Sequence, residues 1–161
     1  MPSTELLGIY LNDHLAGASA GSELAQKISA ENTGTTYGTF LAELARDIEQ
    51  DHTTLADLMD RLHIDKDPMK EAAGWVLEKF SRLKLSDRFT GSADLKRMLE
   101  FETLSLGIEG KRAMWRALKE VSEDNAELAA TDLDGLTKRA EDQRAVLEEH
   151  RISIAKAALG G

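Results

Sequence analysis

Apolar residues recur every three or four positions through most of the chain, the spacing that gathers them on one face of an α-helix. The first such stretch follows Ser3 or Thr4, either of which can cap a helix, and ends in polar residues 31–36. A second helix is predicted to begin near Thr36 and to end before residues 63–67. The predicted apolar faces are Leu7, Leu11, Ala18, Gly21, Ala25 and Ile28 in the first helix, and Tyr37, Leu41, Leu44, Ile48, Leu55, Leu58 or Met59, and Leu62 in the second.

Three further helices are predicted. Pro68 suits the first turn of a short third helix, which ends before residues 86–92. The fourth is expected over about 93–121 and the fifth over about 132–159. The third carries Trp75, Val76, Leu77, Phe80 and Leu83; the fourth has two apolar sides, Leu95, Leu99, Leu106 and Ala113 on one and Phe101, Leu104, Ile108, Trp115 and Leu118 on the other; the fifth carries Leu133, Leu136, Ala140, Leu147, Ile154 and Ala157.

Four long helices with a shorter one between the second and fourth predict an all-α fold of about five helices. The short helix is long enough to cross much of the height of a four-helix bundle. β-branched residues are scattered, so the pattern does not favour a sheet. With no long linker or repeat, we expect residues 1–161 to form a single domain.

The formal net charge of −9 disfavours nucleic acid or an anionic membrane surface as a partner, because both attract basic faces. The chain has no cysteine, no membrane-length apolar run and no signal-peptide pattern. We therefore expect a cytoplasmic protein. Phosphate-loop, nucleophile-elbow and His-Glu-x-x-His patterns are also missing, which disfavours classical hydrolase and nucleotide chemistry.

Several titratable or amide side chains interrupt the apolar faces, and a polar group inside a bundle must be paired or used. Counting residues from the predicted interhelical turns places pairs of these side chains at the same height along the bundle. These residues are His14 and His52 at one level, Glu109 and Gln143 at another, Glu102 and His150 at a third, and Asp51 beside His52.

Glu49 and His52 form a Glu-x-x-His pair on one face of the second helix, a spacing that can chelate a metal ion. Together with the helical plan, this pair resembles the ferritin-like superfamily, whose dimetal centres combine such pairs with single Glu residues. The resemblance implies an iron or manganese site in which Glu49 bridges and His14, His52 and Glu109 ligate. Alternate ligands are Asp13, Glu102 and Gln143.

The chain departs from that pattern in two helices. The first offers Asp13 and His14 where the superfamily has Glu, and Arg144 stands where a second Glu-x-x-His, begun by Glu141, would have its His. Arginine repels a nearby cation, so we expect one weak site or none. Three acid-His pairs are similar to those of hemerythrin-like bundles, but the further His residues at i+4 spacing are missing.

The alternative interpretation is a metal-free bundle whose polar residues form a hydrogen-bonded network that fixes the helix register. Glu102 and Glu109 would then pair with Arg112, Arg116 or Arg144, and Asp51 with a histidine. The protein would then serve as a dimerisation or protein-interaction module. The sequence pattern does not indicate whether the protein is such a module or an enzyme. We expect a homo-oligomer, a dimer, through helix faces. Close approach of another helix or subunit is predicted at Gly17, Gly21, Gly107 and Gly110.

Overall fold

The computed structural model describes residues 3–67 and 92–160. Over these ranges the chain contains helices and no strand, which confirms the all-α prediction. The predicted first, second, fourth and fifth helices are observed, whereas the predicted third lies outside the described residues. The elements are α1 (Thr4–Glu31), α2 (Gly38–Arg61), α3 (Ala93–Glu120), a 3₁₀ turn (Ser122–Asp124), a short α4 (Ala126–Ala129) and α5 (Leu133–Leu159).

Side-chain caps fix where three of the long helices begin. The Ser3 hydroxyl accepts a hydrogen bond from the Leu6 amide at 3.4 Å, as the sequence predicts for α1. Ser92 caps α3 and Asp132 caps α5 in the same way. Each cap satisfies one of the backbone N–H groups that a helix leaves without a partner at its first turn.

The end of α2 is tied back to α1. His63 adopts a φ of 56°, and the Ile64 amide donates to the Met59 carbonyl at 2.9 Å, which is the hydrogen bond of a Schellman motif. The buried Asn12 side chain of α1 then donates to the Asp65 carbonyl at 3.0 Å and accepts from the Asp67 amide at 2.8 Å. A single amide side chain therefore holds this segment against α1.

The directions of the helices follow from contacts between their ends. α1 and α2 form an antiparallel hairpin, and so do α3 and α5. Arg97, near the start of α3, donates to the side chain of Asn32 at the end of α1 at 2.9 Å. α3 therefore begins at the end of the bundle where α2 begins, and α2 and α3 run in the same direction.

The core consists of two apolar clusters, one toward each end of the bundle. The first includes Ile28, Leu41 and Phe101, and the second includes Leu11 and Trp115. Most of the predicted apolar positions are buried.

One expectation about the apolar pattern is wrong in part. Leu106, at 43% exposure, and Ala113 lie at the surface, whereas Leu95 and Leu99 of the same predicted apolar side are partly buried and pack against the first core cluster. The segment between α3 and α5 also contributes to the core, because Leu128 in α4 is fully buried. Within the described residues, none of the helices is both long and apolar enough to cross a membrane.

Candidate functional site

Glu49 and His52, the predicted chelating pair, both form polar contacts with side chains of α1. The Glu49 carboxylate accepts hydrogen bonds from the Ser22 hydroxyl and, at 3.4 Å, from the Gln26 amide. The His52 Nε2 atom lies 3.0 Å from the Ser19 hydroxyl. The pair therefore helps to join α2 to α1 near the surface of the bundle, where Glu49 is exposed.

Glu109 is engaged by arginines on the outer side of α3. Arg112 donates to both of its carboxylate oxygens at 3.0 Å, and Arg144 lies 3.6 Å away. The hydrogen bonds from Arg112 lower the pKa of Glu109. Glu102 forms an ion pair with Arg151 at 3.6 Å. Glu102 and Glu109 lie on the same face of α3 as the exposed Leu106. Their carboxylates therefore contact arginines near the surface rather than the bundle interior.

His14 is half-buried between the surface and the core. Its ring meets that of Tyr10 edge to face, with centroids 4.7 Å apart, and burial lowers its pKa although Asp13 opposes the shift. His14 and His52 line the same cavity, whereas Glu49 and Glu109 do not. Among residues 3–67 and 92–160, three or more His or carboxylate side chains are nowhere grouped so that they could hold a metal ion.

A buried ion network crosses the bundle at the level of Asp51. The Asp51 carboxylate is 3% exposed and accepts hydrogen bonds from the Lys111 ammonium at 2.6 Å and from the Gln143 amide at 2.9 Å. Lys111 also donates to Gln143 Oε1 at 2.6 Å. On the other side of the carboxylate, Arg139 Nε lies 3.0 Å from Asp51 Oδ1. The network joins α2, α3 and α5.

Lys111 is the cation at the centre of this network. Burial lowers its pKa, because an ammonium group loses hydration, while the Asp51 carboxylate offsets part of that shift. Asp51 does not pair with a histidine, as the network hypothesis expected, but with Lys111 and Arg139. The hypothesis that a buried polar residue is hydrogen-bonded inside the bundle nevertheless agrees with the contacts of Asp51.

Lys111 is the residue that the sequence reasoning missed. It lies three positions after Ile108 and four before Trp115, on the side of α3 that proves to be the buried one. The same three- and four-residue spacing that selected His14 and Gln143 would have selected it. A lysine is easily assigned to the surface because it is almost never fully buried without a partner.

An open cavity of about 300 Å³ lies between α1, α2 and α3, directly beside Lys111. Four glycines border it, and at none of them would an added Cβ atom meet another atom within 4 Å. No helix among the described residues approaches these glycines closely, so that part of the prediction is wrong, whereas the approach of a second subunit stays a prediction. The glycines are Gly17, Gly21, Gly107 and Gly110.

The cavity wall is largely apolar but carries a few polar groups. Leu24, Ile48 and Ile108 contribute apolar surface, and His14 and Asp51 contribute polar atoms. Trp115 also lines the cavity and is fully buried, yet its indole N–H has no acceptor among residues 3–67 and 92–160. An apolar cavity with a small number of convergent polar groups is the usual form of a small-molecule site.

No protein-family model matches this chain, and neither a curated protein nor a solved structure is significantly similar to it.

Proposed function

We propose that this protein is a ferritin-like helical bundle that binds a small organic molecule in the cavity between α1, α2 and α3. The observation that carries the proposal is the cavity itself, whose wall is largely apolar and carries a few polar groups. The ferritin-like plan is supported by two antiparallel hairpins whose second and third long helices run in the same direction. A cytoplasmic location stays a prediction from the composition.

The buried ion network supports a metal-free interior. Lys111 supplies a positive charge between Asp51 and Gln143, and Gln143 is one of the alternate metal ligands that the sequence predicted. The predicted ligands Glu49 and Glu109 already accept hydrogen bonds from other side chains. The donor set of the described residues therefore does not fit the dimetal centre that the sequence resemblance implied.

The proposal is tested by filling the cavity. In Gly21→Leu the new side chain enters open space, so the variant should fold and should bind the neutral probe 1-octanol at least tenfold more weakly. Ala42→Leu is the matched control, because Ala42 is an exposed small residue of α2 outside the cavity. Binding is measured by calorimetry and by amide chemical shifts. Equal binding by both variants, or shifts scattered over the surface, would contradict the proposal.

A metal site is a second candidate, supported by the two imidazoles of His14 and His52 on one cavity. It predicts near-stoichiometric iron or manganese in untagged protein purified without chelator, lost in His14→Ala/His52→Ala. Elemental analysis makes the measurement. Protein that is metal-free and is not stabilised by added Fe(II) or Mn(II) would exclude this candidate.

An interaction module is the remaining candidate, supported by Leu6 and Ile9, which are 67% and 50% exposed on the first turns of α1. Exposed apolar residues that share a helix face can form a subunit contact. The expected homodimer would then dissociate in Leu6→Glu/Ile9→Glu, as measured by light scattering after gel filtration. A wild-type monomer at all concentrations would remove this candidate.

A further inference from the structure

Three charged side chains border the cavity, namely Asp13, Asp51 and Lys111. Asp51 and Lys111 form an ion pair at 2.6 Å, and Arg139, the second cation on the Asp51 carboxylate, is also paired with Asp47 at 3.6 Å. Asp13 is exposed at the surface of α1. The two cations of the network are thus balanced by two carboxylates, so within the described residues the inner wall of the cavity carries no net charge.

This balance of charge favours an uncharged ligand. An ion loses its hydration when it leaves water, and the loss is unfavourable unless a counter-ion or several hydrogen bonds replace the water. The Asp51 carboxylate and the Lys111 ammonium already contact each other and Gln143. An anion would therefore compete with Asp51 for Lys111, and a cation would compete with Lys111 for Asp51. An uncharged molecule leaves the ion pair intact.

His14 is a neutral polar group on the cavity wall. Its ring contacts Tyr10 edge to face, and within the described part of the chain no group forms a hydrogen bond with it. Burial lowers the pKa of the imidazole from its usual value of 6.5, although Asp13 acts in the opposite direction, so the ring is uncharged at pH 7. A neutral imidazole has one N–H donor and one unprotonated nitrogen that accepts. His52, the other imidazole at the cavity, already contacts the Ser19 hydroxyl.

The volume and the wall of the cavity set the size of the ligand. An apolar cavity of about 150 Å³ holds benzene, so a volume of about 300 Å³ holds roughly ten to twelve non-hydrogen atoms. Leu24, Ile48 and Ile108 contribute apolar surface, and the four glycines leave open space beside it. With one neutral imidazole on a largely apolar wall, the cavity suits an apolar body that carries a single polar group.

From this arrangement we infer that the ligand is an uncharged alcohol with an apolar body, whose hydroxyl group donates a hydrogen bond to the unprotonated ring nitrogen of His14. This inference rests on the proposed function, because it names the ligand class of the same cavity. The apolar body contacts the aliphatic wall, and the ion pair of Asp51 and Lys111 excludes charged analogues by remaining closed. His14 thus determines which polar group the cavity accepts.

The charge of the ligand is tested with three probes of equal chain length at pH 7: 1-octanol, octanoate and octylammonium. Wild-type protein should bind 1-octanol at least tenfold more tightly than either ion in calorimetry. Binding of octanoate or octylammonium as tight as that of 1-octanol would overturn the uncharged ligand class.

The role of His14 is tested with 1-octanol and its isomer 1-methoxyheptane, an ether that accepts but does not donate a hydrogen bond. Wild-type protein should prefer the alcohol at least fivefold, and the ring nitrogen resonances of His14 should move with the alcohol and not with the ether. His14→Phe, which keeps an aromatic ring, should lose the preference yet still bind the ether, which shows that the variant is folded. His63→Gln is the control, because His63 is exposed and lies outside the cavity.

The outcomes separate this inference from the proposed function. An equal preference for the alcohol in wild type and His14→Phe, or unmoved His14 resonances, would overturn the alcohol as the ligand class and leave the cavity as a binding site. Failure of the alcohol, the ether and both ions to bind wild-type protein would overturn the proposed function as well.

Discussion

Glu100 of α3 should make the stability of this protein depend on pH. Its side chain is 3% exposed, and its Oε2 atom has no hydrogen-bond partner among the described residues. Burial and the nearby Glu31 carboxylate raise its pKa to about 7, although Lys27, Lys96 and Arg97 act in the opposite direction. A carboxyl group with this pKa is largely protonated in the folded protein at pH 6 and ionised in the unfolded chain.

The size of the effect follows from the two pKa values. A pKa of about 7 in the folded state against 4.5 in the unfolded state corresponds to about 3 kcal/mol at roughly 1.4 kcal/mol per pH unit. Below pH 4.5 Glu100 is protonated in both the folded and the unfolded state, so its ionisation takes nothing from the free energy of unfolding. The free energy of unfolding falls as pH rises from 4.5 toward 7, because only the unfolded chain releases the proton of Glu100 in this range. Above about pH 7 the free energy of unfolding has fallen by the full amount.

Urea unfolding of wild-type protein and Glu100→Gln at pH 5, 6, 7 and 8 measures this loss. The amide cannot ionise, so the free energy of unfolding of the variant should rise relative to wild type by up to about 3 kcal/mol between pH 5 and 8. Glu102→Gln is the control, since Glu102 lies two residues away with a side chain 43% exposed beside Arg151. Parallel pH profiles for wild type and Glu100→Gln would refute the reasoning.

Three further substitutions test features of the fold by urea unfolding at pH 7. Asp51→Ala leaves the buried Lys111 ammonium without its carboxylate and should lower the free energy of unfolding by about 3–5 kcal/mol; a loss below about 1 kcal/mol would mean that the network is hydrated. Asn12→Ala removes the three hydrogen bonds of a buried side chain and should cost about 1–3 kcal/mol, and an unchanged midpoint would contradict its holding role. His63→Gly relieves a left-handed backbone conformation and should raise the free energy of unfolding by roughly 0.5–1 kcal/mol. A variant less stable than wild type would contradict this expectation.

The helices could be predicted from the sequence because their apolar faces are continuous. Residues such as Leu11, Leu41 and Phe101 recur at helical spacing and are buried as expected. The second apolar side of the predicted fourth helix was wrong in part, since Leu106 has the right spacing but faces outward, whereas Leu99 packs against the core. Spacing groups residues on one face of a helix, whereas the direction of that face depends on how the helix packs against its neighbours.

The candidate site was less predictable than the fold. The level of His14 and His52 could be estimated from helix rise, and both do line one cavity. The rotation of each helix could not be estimated, and it turns Glu49 toward Ser22 of α1 and Glu109 toward Arg144 of α5. A cavity is a property of the packing of three helices, so its presence beside the four glycines is not contained in any local pattern.

The ion network also bears on the rate of folding. Each hairpin brings together residues that are close in the chain, and such local contacts form quickly. Asp51 belongs to the first hairpin, whereas Lys111 and Gln143 belong to the second, so each charge stays hydrated until the hairpins meet. Removing that water is unfavourable until the ion pair is in place. Docking of the two hairpins, rather than their formation, should therefore limit the rate at which the native bundle appears.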